Sequence, residues 1–163
     1  MPILSRKARY ALHGLGFIAA FSQDKPLPSE EILAYLRSYS PRHTLSSGYL
    51  AKILQEVSRA GFTVSVTGPR GGYQLARPAE EIGVLEVVEA LDGPLTSGEC
   101  MLSVAGCPRQ ATCGFRSLIQ KAEMAFYGSL KSATIASIAD LTDFTDVSDD
   151  SGKDLTHART SST

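Results

Sequence analysis

The chain has 163 residues, enough for one ordinary domain with an appendage, and 43% of them are hydrophobic, so a sizeable core is possible. Its net charge of −1 conceals an asymmetry: residues 1–78 carry 10 Lys/Arg against 4 Asp/Glu, and residues 79–163 carry 6 against 13. A polyanion is therefore attracted to the first half and repelled by the second. Three cysteines, an odd number, exclude complete pairing within the chain and argue against a secreted disulfide scaffold. No P-loop, Gly-x-Ser-x-Gly elbow or His-Glu-x-x-His is present, so an enzyme is not expected.

Arg6, Lys7 and Arg9 before the apolar run Tyr10 to Phe21 imitate a secretory signal, but His13 interrupts the run and no small-x-small cleavage site follows. The run is also far short of the ~20 apolar residues that span a bilayer. It is read as a buried helix of a cytoplasmic protein, opening at Ser5 as N-cap and reaching about Ser22, with Leu12, Leu15, Ile18 and Ala19 at helical spacing. A second, short helix is expected from Ser29, with that hydroxyl as cap, Glu30 and Glu31 in its first turn and Ile32, Leu33 and Leu36 as its apolar stripe.

Between Ser46 and Ala60, Leu50, Ile53, Leu54 and Val57 recur at i, i+3, i+4 and i+7, and Gly61 stops the pattern. The opposite face carries Gly48, Lys52, Gln55 and Arg59, polar and basic. From Phe62 to Thr67 the period falls to two, with Phe62, Val64 and Val66 on one side. Gly68-Pro69-Arg70-Gly71-Gly72 turns the chain and Tyr73 to Ala76 returns antiparallel. Three helices and a hairpin with a basic tip are the order of a winged helix-turn-helix. In that arrangement Ser47, Tyr49 and Lys52 are placed to reach base edges or fix register, with Arg59 on the same helix. Arg70, with Gly71 allowing close backbone approach, is placed to meet phosphate or the minor groove.

A fourth helix is predicted over Ile82 to Leu91, and a long amphipathic one through Phe115, Leu118, Ile119, Ala122 and Phe126 to about Lys131. So apolar a helix has little left to bury against in a small winged domain, and a helix from a second copy is the natural partner. A short helix around Thr134 to Leu141 follows. In residues 143–163, Asp, Ser and Thr make up 13 of 21, a composition expected to stay disordered. The expected divisions are 1–80 for DNA binding, 81–142 for a cysteine loop and dimerisation helices, and 143–163 for the tail.

Cys100, Cys107 and Cys113 lie between the fourth and fifth helices in a stretch rich in Gly, Pro, Ser and Thr. Three thiolates suit an iron-sulfur cluster or zinc. The absence of a Cys-x2-Cys pair also leaves open a reversible thiol sensor. His13 is a candidate fourth ligand, set against the common role of a packed histidine.

Ser5 to Leu12, Tyr49-Leu50-x-x-Ile53-Leu54, Gly68-Pro69-x-Gly71-Gly72-Tyr73 and the three cysteines together resemble the bacterial winged-helix regulators that include the iron-sulfur-cluster-assembly regulator (IscR), the nitric-oxide-sensing repressor (NsrR) and the rhizobial iron regulator (RirA). The resemblance covers about Ser5 to Leu141. It implies a mainly α fold with a hairpin wing and a long dimerisation helix. It also implies a homodimer on double-stranded promoter DNA, and a 2Fe-2S or 4Fe-4S cluster on Cys100, Cys107 and Cys113. The chain departs from that pattern in two places. Arg116 stands three residues past the last cysteine, where the cluster-assembly regulator has a ligand histidine, and Arg9 stands where some relatives have an acidic ligand; neither arginine ligates iron as a cation. The segment Arg37 to Leu45 is longer than the usual turn before the recognition helix.

Overall fold

The computed structural model describes residues 4–22, 25–38, 45–95, 107–108 and 112–142. The expected disordered tail at 143–163 and most of the long segment after Arg37 lie outside them. Six α-helices and one two-stranded hairpin are seen among the described residues.

Helix α1, Arg6–Phe21, opens as its sequence predicts: the Ser5 hydroxyl accepts from the Ala8 amide at 3.0 Å. The same hydroxyl donates to the Asp92 carboxylate at 2.6 Å, and the Ser5 amide donates to that carboxylate at 3.0 Å. In α2, Ser29–Ser38, the amide of Ile32 donates to the carbonyl of Pro28, so Pro28 holds the cap position. Ser29 is therefore the first residue inside the helix instead of the expected capping residue. Helix α3, Ser47–Arg59, is capped by Ser46 and ends at Ala60 and Gly61, whose φ of 83° is a left-handed conformation that glycine adopts freely.

Strands β1, Thr63–Val66, and β2, Gly72–Leu75, pair antiparallel with Thr63 opposite Leu75 and Val66 opposite Gly72. Leu27, before α2, adds a further bridge: its amide and carbonyl exchange hydrogen bonds with Tyr73 at 2.8 Å each. This approach needs Gly72, where a Cβ would stand 2.3 Å from the Leu27 carbonyl oxygen. The period-of-two reading places Phe62, Val64 and Val66 on one side, but only Phe62 is buried. Val64 and Val66 are 42% and 39% exposed, and Thr63 is buried with its hydroxyl 2.7 Å from that of Ser58. The hairpin is held at its base by Phe62 and Thr63 and along β2 by the Leu27 bridge and the packing of Tyr73 and Leu75 on the core, while β1 beyond Thr63 is exposed.

A 3-10 turn at Ala79–Glu81 leads into α4, Val84–Asp92, then come α5, Gly114–Ser132, and α6, Ile135–Leu141. Buried residues form two adjoining clusters, and α1 contributes to both. Phe17 stacks on Tyr35 of α2 at 4.2 Å, and Leu12 and Leu15 join Ile53, Val57, Phe62, Val88 and Ile135. Helix α6 folds back onto α1 at Gly16, where a Cβ would meet Ile138 at 2.9 Å. The return is fixed by backbone bonds from Val84 to Ala133 and from Ile135 to Ile82.

Helix α5 differs from the others in having no buried residue. It comes back beside α4 and ends where α4 begins. With 19 residues against 9 it is about 28 Å long beside about 13 Å, so its first half extends past the end of α4. Leu130, near its C-terminal end, packs on the core, whereas Phe115 and Leu118 are 56% and 63% exposed.

Candidate nucleic-acid interface and cysteine-bearing arm

The sequence of α3 separates two faces. Leu50, Ile53, Leu54 and Val57 are buried, and this fixes the rotation of the helix so that Ser47, Gly48, Lys52, Gln55 and Arg59 point outward. Tyr49 sits at the margin, its ring edge-on to Tyr10 of α1 with centroids 6.4 Å apart. On the same margin the Lys7 ammonium is 2.8 Å from the Glu56 carboxylate, which cancels the one acidic charge of α3. Arg37 Nε donates to the Leu45 carbonyl at 3.0 Å, tying the end of α2 to the entry of α3.

At the hairpin tip Gly68 has φ 121°, and the Gly71 amide donates to the Gly68 carbonyl at 2.9 Å. A Cβ on Gly71 would stand 2.3 Å from the Val66 carbonyl oxygen, so only glycine closes this turn. The result leaves Arg70 exposed at the tip. Behind the hairpin Arg77 lies over the Phe62 ring at 5.8 Å and reaches Glu86 at 2.6 Å and the Glu81 carbonyl at 3.0 Å, joining its base to α4.

Cys107 and Cys113 are half-buried free thiols, and Cys113 is the N-cap of α5. Cys100 lies outside the described residues, so the three sulfurs are not seen together. Among the described residues no three His, Cys, Asp or Glu side chains converge on a possible metal position. His13 is solvent-accessible on the outward face of α1 with Arg6 and Arg9, yet the protein around it desolvates the ring enough to lower its pKa below the ordinary 6.5. It is therefore neutral at pH 7, the form that binds metals. Arg116 stands in the first turn of α5. The donor chemistry, two unpaired thiols and a neutral imidazole, fits a soft metal centre.

The profile of the Rrf2 family, described as an iron-dependent transcriptional regulator, matches residues 4–141. This chain belongs to the Rrf2 family. It is 34% identical over 133 residues to the protein rrf2 of Nitratidesulfovibrio vulgaris, covering 82% of this chain and 84% of that one. It is 31% identical over 132 residues to the transcriptional regulator IscR of Photobacterium profundum, covering 81% and 72%. Among solved structures, CymR, the global cysteine regulator of B. subtilis, superposes with a TM-score of 0.66 at 24% identity over 86% of this chain and 98% of that one. That last likeness concerns the fold. The Rrf2 membership makes the chain a winged-helix transcriptional regulator, and the resemblance drawn from the sequence motifs is borne out. No helix among the described residues is long and apolar enough to cross a membrane.

Sequence reasoning did not find the pairing of Lys7 with Glu56, the Ser5–Asp92 contact or the Leu27 bridge. Each joins residues far apart in the chain through one polar group, which leaves no periodic trace. The short helix expected around Thr134 to Leu141 is found as α6, but its packing onto α1 at Gly16 was not foreseen.

Proposed function

We propose that this Rrf2 protein is a homodimeric, cytoplasmic regulator that binds double-stranded promoter DNA and responds to iron, redox state or nitric oxide through an iron-sulfur cluster, 2Fe-2S or 4Fe-4S. In this reading residues 1–80 bind DNA and residues 81–142 carry the sensing loop and the dimer contact. Ser47, Tyr49 and Lys52 meet the major groove, Arg59 and Arg70 meet phosphates, and Gly71 shapes the turn that presents Arg70. Cys100, Cys107, Cys113 and His13 hold the cluster, which when bound supplies a charge and ligand-exchange state that changes with its redox or nitrosylation.

The observation that carries the reading is the state of α5. Phe115, Leu118, Ile119, Ala122 and Phe126 form one apolar stripe on this helix. The same side of the helix is covered near Leu130 by the protein's own core and left bare at Phe115 and Leu118. A second α5 completes the burial, and Cys113 at the head of the same helix ties the sensing loop to the dimer contact. Changes in the loop would thereby alter the spacing of two recognition helices, with a coupling of about 1 to 3 kcal/mol.

The test is an absorption spectrum of anaerobically purified protein with iron and acid-labile sulfide assayed on the same sample. Visible sulfide-to-iron bands abolished by Cys107→Ala support the cluster. Colourless protein, free of iron and sulfide after reconstitution, removes it. A second reading, a metal-free thiol switch or a zinc site on the same frame, is favoured by the two free thiols and by the likeness in fold to CymR. It requires DNA binding that responds to peroxide or to zinc chelation in the colourless protein.

A further inference from the structure

We infer that Arg6 is a second phosphate-contacting residue, on the flank of α3 opposite the wing. This rests on the DNA-binding reading above and adds a contact that the recognition helix and wing do not supply.

The outward face of α3 has two borders. On one, Ser58 meets Thr63 of β1, the strand leading to Arg70. On the other lies the start of α1, held by the Lys7–Glu56 ion pair and by Tyr10 against Tyr49. These two contacts are seven residues apart on α3 but three apart on α1, so the one turn of α1 from Lys7 to Tyr10 borders two turns of α3. Packed helices lie about 8–10 Å apart, and the major groove that admits a helix is about 12 Å wide. A duplex that seats α3 in its groove therefore brings one phosphate backbone toward the wing and the other toward α1.

On α1 the residue next to Lys7 is Arg6, which is exposed and makes no ion pair or hydrogen bond among the described residues. It lies one turn before Tyr10 on the same side, bordering α3. Lys7 neutralises Glu56, the one acidic residue of α3, and the Asp92 carboxylate at the head of α1 is engaged by the amide and hydroxyl of Ser5. Arg9 is equally exposed, but sits about 60° further round α1, away from α3. The two arginines share a helix, a charge and an exposure and differ in direction, which makes Arg9 the internal control.

The experiment is fluorescence anisotropy of a labelled mixed-sequence duplex titrated with the full chain over a range of salt, for the wild type and for Arg6→Gln, Arg9→Gln and Arg70→Gln. Non-specific binding suffices, since phosphate contacts are read through counterion release. Arg6→Gln is expected to weaken binding about five- to tenfold at about 0.1 M salt and to reduce the salt slope by about one per bound protomer, as Arg70→Gln does. Arg9→Gln is expected to change the slope by less than half as much. A wild-type slope for Arg6→Gln, or an equal loss for Arg9→Gln, overturns the assignment, the latter because it shows net charge acting and not position. Absence of wild-type binding at every salt concentration overturns the DNA-binding reading itself. Unchanged thermal midpoints, expected because Arg6 supports no other group, tie any loss to the contact.

Discussion

The bundle of α1 to α4 with α6 and the arm formed by α5 are built from similar apolar residues with opposite results. In the bundle, Phe17, Ile18, Tyr35 and Ile53 are each at most 1% exposed; on α5, Phe115 and Leu118 are more than half exposed. The difference is one of available surface. The stripe of α5 is as regular as that of α3, but past the end of α4 no further element among the described residues is set against it. Periodicity thus reports that a helix has a face to cover, and packing decides whether the cover comes from the same chain.

The largest expected effect lies in the bundle. Phe17→Ala removes a fully buried ring stacked on Tyr35 and should destabilise the fold by about 3–5 kcal/mol in urea unfolding, whatever the protein concentration. Gly72→Ala should cost about 2 kcal/mol, since its Cβ forces apart the two Leu27–Tyr73 hydrogen bonds at about 1 kcal/mol each. It should also loosen the hairpin, seen as faster amide exchange at Tyr73. On the arm, Leu118→Ala should weaken self-association by about 1.5–3 kcal/mol per buried side chain, measured by sedimentation equilibrium. If the variant associates like the wild type, α5 is not the dimer contact. The N-cap change Ser46→Ala should cost about 1 kcal/mol and fray the start of α3. The smallest effect sharpens the comparison most: Phe115→Ala in dilute, monomeric protein should change stability by less than about 0.5 kcal/mol. A loss there approaching that of Phe17→Ala would mean that the arm is already covered within one chain.

The elements that could be read from the sequence were those whose evidence is local. The Ser5 cap, the stripe of α3 and the glycine turn around Arg70 all rest on residues within a turn or two of one another, and all are found. Exposure of Val64 and Val66 was not legible, because alternation marks two sides of a strand without saying whether either has a neighbour. The Ser5–Asp92 contact spans 87 residues and Lys7–Glu56 spans 49, distances at which a single polar pair leaves no pattern. Of the site, the outward direction of Lys52 and Arg59 followed from burial of the opposite face of α3, and the exposure of Arg70 from the glycine turn. The convergence of the cysteines depends on a loop with Cys100 outside the described residues, and their spacing alone defines no geometry.

The attachment of α5 has a mechanical consequence. The helix is fixed at its C-terminal root, where Ala133 and Ile135 bond to Val84 and Ile82, and Cys113 stands at its far end. It is therefore a lever of about 28 Å, and a tilt of about 5° at the root displaces the tip by about 2.5 Å. That movement is comparable to the 1–2 Å helix shifts that switch subunit interfaces. Read in the other direction, a force applied at Cys113 acts on the root with the mechanical advantage of the full helix, and the root is bonded to both ends of the turn that opens α4.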